Sequence, residues 1–110
     1  MNIRVYVAGP IGKEEGREAR IHSAIEAAER LRRAGLFPFV PHLSVQWGDR
    51  YKHTYECWMA IDFEFLSICH ALFRVPGESP GADREERFAI GSGIPVFKRF
   101  EDLFAWARIK

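Results

Sequence analysis

The feature that most constrains this chain is a repeated alternation of short β-branched runs with amphipathic helical stretches, punctuated by glycine and proline. Ile3-Arg4-Val5-Tyr6-Val7-Ala8 reads as a buried strand, and Gly9-Pro10-Ile11-Gly12 ends it in a tight turn. A helix is predicted from Glu15 to Ala34. Ile21, Ala24, Ile25, Ala28 and Leu31 recur on one face, and Gly35 stops it. Phe37–Pro41 reads as a short second strand, placed near an edge by its prolines. Residues 42–53 read as a loop. A second helix is predicted from Thr54, a suitable N-cap, to about Cys69. Ala71–Val75 is the third strand and Pro76–Gly81 a loop. The third helix is expected over Asp83–Ser92, the fourth strand over Ile94–Phe97, and a last helix over Glu101–Arg108. Strands alternating with helices imply parallel pairing through right-handed crossovers. The expected fold is therefore a doubly wound α/β, Rossmann- or flavodoxin-like three-layer sandwich, with a mainly parallel sheet of about four to five strands.

With 110 residues, one domain over residues 1–110 is expected, and 47% hydrophobic content suffices for a core. A net charge of +1 gives no bulk attraction for a nucleic-acid polymer or an anionic membrane. No apolar run reaches membrane-spanning length, and no signal peptide is read at the N-terminus, so a cytoplasmic location is expected. Cys57 and Cys69 form no CxxC pair, and Cys69 reads as a small core residue. No ligand cluster stands at metal-binding spacing, so neither a metal nor a cofactor is expected.

In open parallel sheets, ligands bind beyond the carboxyl ends of the strands. Those ends here are the Gly9–Gly12 turn, the segment after Val40 and the Pro76–Gly81 loop. Two carboxylates point toward that region. Asp62 falls within the helical stripe of Trp58, Ile61, Phe65 and Cys69, about 40° from Trp58. An acid on such a stripe must be partnered or it is costly to desolvate. Glu85 aligns with Phe88, Ala89 and Ser92 on the inward face of the third helix. It is read as lying in the first turn, where the helix dipole favours an ionised carboxylate. Asp83 and Glu86 could instead form an ordinary capping box there. Two inward acids and Tyr6 at a strand end make a set suited to glycosyl transfer.

On these residues the chain resembles the nucleoside 2-deoxyribosyltransferase superfamily, and in particular its short, largely uncharacterised bacterial and phage members. Tyr6-Val7-Ala8-Gly9-Pro10 is similar to the family's first strand and turn. The run from Ser79 through Gly81 and Glu85 to Ala89 follows the pattern Ser/Asp-x-Gly-x-x-x-Glu-x-x-x-Ala, and Gly93-Ile94-Pro95-Val96 follows at the right distance. The resemblance implies Glu85 as nucleophile, Tyr6 as its hydrogen-bond partner and Asp62 as the orienting or proton-handling acid. Substrate contacts are expected from Gly9, Pro10, Ile11, Gly12 and Gly81, since glycine-rich turns at strand ends allow close backbone approach to a sugar or phosphate, and the resemblance adds Ser79. The expected activity is cleavage or transfer at the N-glycosidic bond of a nucleoside or nucleoside 5′-monophosphate through a covalent glycosyl-enzyme. A non-catalytic nucleotide- or nucleoside-binding module on the same fold is the alternative. Ser79 stands where the related nucleoside-monophosphate N-glycosidases have a phosphate-contacting serine. Pro10 and Gly12 stand where those hydrolases have Ser and Arg, and His70 where members commonly have Asp, so Lys13, Arg17 or Arg84 would have to supply positive charge. A homodimer or larger homo-oligomer is expected, both from this resemblance and from Phe63, which helix geometry places on an exposed side.

Overall fold

The computed structural model describes residues 2–109. Its elements are β1 (Arg4–Ala8), α1 (Arg17–Arg33), β2 (Phe37–Phe39), a 3₁₀ turn (Pro41–Ser44), α2 (Val45–Arg50), α3 (Tyr55–Leu66), β3 (Ala71–Arg74), α4 (Pro80–Gly91), β4 (Val96–Phe97) and α5 (Phe100–Ala107). The four strands form one sheet in the order β2-β1-β3-β4, and each neighbouring pair is parallel. This is the α/β architecture expected from the strand–helix alternation.

The two-residue period of β1 builds the layers. Val5 and Val7 point to one face and pack with Ala24, Leu31, Phe73 and Leu103, which brings α1 and α5 onto that side. Tyr6 and Ala8 point to the other, where Leu66, Leu72, Ala82 and Ala89 place α3 and α4. Because β2 and β3 lie on opposite sides of β1, the chain reverses its direction across the sheet at β1. A crevice at the carboxyl ends of β1 and β3 follows from that switch.

Four sequence expectations change. Residues 42–53 are not a plain loop: Pro41 opens the 3₁₀ turn, the Ser44 hydroxyl donates to the Pro41 carbonyl at 2.7 Å, and α2 follows. Six residues are too few to print a helical period. Next, α4 starts at Pro80 with Ser79 as N-cap, whose Oγ accepts from the Ala82 N–H at 3.0 Å. Asp83 and Glu86 therefore form no capping box, and both accept from the buried Arg74 guanidinium, at 2.7 and 3.0 Å. The inward face of α3 is also rotated from the expected stripe. Met59 and Leu66 are its buried residues, while Phe65 is 46% exposed. Finally, Phe63 is not left outside. Its ring stacks on Phe88 of α4 with centroids 4.5 Å apart. Thr54 does cap α3, accepting from the Cys57 N–H at 3.1 Å, and Cys69 is buried.

Candidate active site

Tyr6 is carried on the middle of β1, one of the two inner strands, and is fully buried. Its hydroxyl donates to Oε2 of Glu85 on α4. Glu85 lies in the second turn, six residues beyond the Ser79 cap, and is 5% exposed. Asp62 approaches from the rotated inner face of α3, half-buried, close enough to interact with both Glu85 and Tyr6. Three elements thus converge three oxygen-bearing side chains on one point.

The electrostatics follow from that burial. Desolvation first, then the neighbouring Asp62 charge, push the Glu85 carboxyl up to about 8, against the opposing effects of the Tyr6 hydroxyl and Arg74. Asp62 is pushed up to about 6 by its own burial, partly offset by hydrogen bonding with Glu85 and Tyr6. Tyr6 is held far above the usual phenol range by burial and by the two acids, so it remains a donor. The sequence reading placed Glu85 in the helix's first turn, where the dipole would keep it ionised. One turn further in and buried, it moves the opposite way. Between about pH 6 and 8 the acid pair therefore holds a single shared proton. One member can be a carboxylate while the other is an acid.

Both acids face a cavity of about 590 Å³, whose wall includes Gly9, Ile11, Gly12, Ser79 and Gly81. Tyr6 and Pro10 are not in that wall. Tyr6 acts on it through Glu85. Pro10 packs against Gly77 and lines a smaller neighbouring hollow of about 410 Å³. Gly9 is required where it stands, since a Cβ there would meet the Val75 Cβ at 2.9 Å. The Ser79 Oγ accepts the helix-capping bond, which leaves its O–H available to a ligand.

Of the three cations considered from sequence, Arg17 lines the cavity, where it pairs with Asp49 of α2 at 3.4 Å. Lys13 faces the smaller hollow, and Arg84 makes a two-pronged pair with Glu56 at 2.6 and 3.0 Å. His70 takes no part in the cavity; its Nδ1 accepts from the Arg4 N–H at 2.9 Å. Sequence reasoning missed several contributors. His42 is 2% exposed in the cavity wall, and its Nε2 lies 3.3 Å from the Pro10 carbonyl. Burial holds its pKa below the usual histidine value, so it is a neutral donor bracing the turn after β1. Arg74 stands outside the cavity wall and donates also to the Gly77 carbonyl at 2.7 Å, so pinning the 76–79 loop to α4. Tyr55, Trp58 and Met59 complete the α3 wall. Among the described residues no three His, Cys, Asp or Glu side chains gather as a metal site, and no helix is long and apolar enough to cross a membrane.

No family model and no curated protein matches the chain. Solved structures do. The 2-deoxyribosyltransferase from the psychrotolerant bacterium Bacillus psychrosaccharolyticus superposes with a TM-score of 0.64 at 22% identity, over 84% of this chain and 69% of that one. A conserved protein from Enterococcus faecalis V583 gives 0.70 at 20% identity, over 87% of this chain and 62% of that one. Identity this low speaks to architecture alone, and on that evidence the chain has a nucleoside 2-deoxyribosyltransferase-like fold.

Proposed function

We propose that this protein breaks the N-glycosidic bond of a nucleoside or nucleoside 5′-monophosphate, passing the sugar to water or to a second base through a covalent bond to Glu85. The observation that carries this reading is the convergence of Asp62 and Glu85 on one cavity, with Tyr6 bonded to Glu85 from behind its wall and one proton between the two acids near neutral pH. The resting pair keeps its proton on Glu85, the weaker acid; in the reactive form that proton has passed to Asp62, which leaves Glu85 as the carboxylate. The Tyr6 hydroxyl engages Oε2 and so directs the other carboxylate oxygen at C1′. That oxygen forms the new bond as the C1′–N bond breaks, its electron pair leaving with the base, which takes the Asp62 proton. Water or an incoming base then attacks C1′, its proton returns to Asp62, and Glu85 departs as a carboxylate.

Incubation with a panel of nucleosides and 5′-monophosphates should release free base, and intact-mass measurement after rapid acid quench should find a glycosyl adduct on Glu85. Neither product from any member of the panel would remove the reading. Ligand binding without turnover would leave a binding module on this fold.

A further inference from the structure

One side chain in the cavity wall has no part in the bond-breaking chemistry, yet it is held with unusual care. Trp58 stands four residues before Asp62 on α3, so the two lie on the same helical face about 6 Å apart at Cβ. Both line the cavity. The indole is braced from behind by two rings. Trp47 meets it edge-on at 5.0 Å between centroids, and His53 lies 5.1 Å away. These two also contact one another at 5.9 Å. The α2 backbone closes against the indole at Gly48, where a Cβ would sit 3.2 Å from Trp58 Cζ2. A leucine could fill this wall as well as an indole does. What bracing adds is a flat π surface with a fixed tilt, and planar heterocycles stack on such a surface whatever their hydrogen-bonding edge.

We propose that Trp58 is the platform on which the substrate's aromatic base stacks, one helical turn from Asp62. A ring lying on that platform presents its leaving nitrogen toward the Asp62 carboxyl and its sugar toward Glu85. The inference rests on the N-glycoside reading of the cavity and adds a ligand class to it. Recognition of the base is by ring area rather than by edge pattern, so purines bind more tightly than pyrimidines and bases of equal size are poorly distinguished.

The test uses Glu85→Gln protein, which binds without turnover, with Trp106→Phe added so that the remaining indoles are Trp58 and its brace Trp47. Indole fluorescence is titrated with adenosine, thymidine and ribose 5-phosphate. Saturable quenching is expected with adenosine, weaker binding with thymidine, and no quenching with ribose 5-phosphate. By calorimetry in the Glu85→Gln protein, Trp58→Leu should weaken adenosine binding about tenfold or more, and Trp58→Phe much less. Gly48→Ala, whose methyl would crowd the indole from the cavity wall, should weaken it too and guards against a misfolded leucine variant. Adenosine affinity unchanged in both Trp58→Leu and Gly48→Ala, or no quenching by either nucleoside, overturns the platform. The two ideas fail separately. Base release that keeps its wild-type KM in Trp58→Leu defeats the platform alone. Stacking with no base released from any substrate supports the platform and defeats the glycosidase reading.

Discussion

Replacing Glu85 by glutamine should make the protein more stable, and only at the alkaline end of its range. Burial and the Asp62 charge lift this carboxyl from an ordinary 4.5 to about 8. The folded state therefore binds a proton between those values that the unfolded state has released. Stability falls with pH wherever the folded state holds more protons, so this contribution is fully present below pH 4.5 and is lost as pH rises through 8. At about 1.4 kcal/mol per pH unit the window is worth up to about 5 kcal/mol. Asp62 titrates in the same pocket and takes part of it, which leaves about 2–4 kcal/mol for Glu85. Glutamine has the shape of the protonated acid and can still accept from Tyr6, but it cannot ionise. Urea unfolding of the two proteins should give nearly equal stabilities at pH 5 and a gap of about 2–4 kcal/mol in favour of Glu85→Gln at pH 8.5. A gap that does not vary with pH, or a variant less stable at pH 8.5, would refute the desolvated-carboxylate argument. The gain is the expected mark of a residue kept for chemistry at a cost to the fold.

The same pair of acids should give base release a bell-shaped pH dependence with limbs near 6 and 8. Activity is lost below as both acids protonate and above as both ionise, and a profile flat from pH 5 to 9 would contradict this. Tyr6→Phe removes a donor to the carboxylate, worth about 1.5–3 kcal/mol; it should move both limbs upward by about one to two pH units, and limbs left in place would show that Tyr6 does not tune the pair. Asp62→Asn should lower kcat at least about a hundredfold while shifting thermal stability little, and a large loss of melting temperature with normal kinetics would make Asp62 a structural acid. Sedimentation equilibrium should find a homodimer or larger assembly, because Phe37, Phe65 and Ile68 are all about half exposed; a species at the mass of one chain would exclude it.

The strand–helix alternation was readable because each of the first three strands is a short apolar run closed by glycine or proline, and both glycine-bearing turns fall at carboxyl ends of the sheet. Glu85 was readable for a similar reason: it shares its face with Phe88 and Ala89, and Ala89 is fully buried. The start of α4 was misread although its signal was present. Ser79-Pro80 is a good N-cap followed by a proline at the first helical position, and it outweighs an acid that merely stands nearer the apolar residues. That misplacement by one turn carried a second error, the sign of the Glu85 shift, because dipole stabilisation fades within a turn while desolvation does not. On α3 the aromatics outnumber the residues needed to fill one face, so periodicity could not choose between the Trp58–Phe65 stripe and the Met59–Leu66 stripe. Only packing against β1 and α4 decides. Arg74 left no local trace at all. An arginine between Phe73 and Val75 reads as an exposed strand position, and its carboxylate partners lie nine and twelve residues on, across a loop whose path the guanidinium itself fixes. The elements of this fold are encoded locally, whereas the charge balance of its cavity exists only once the chain has closed.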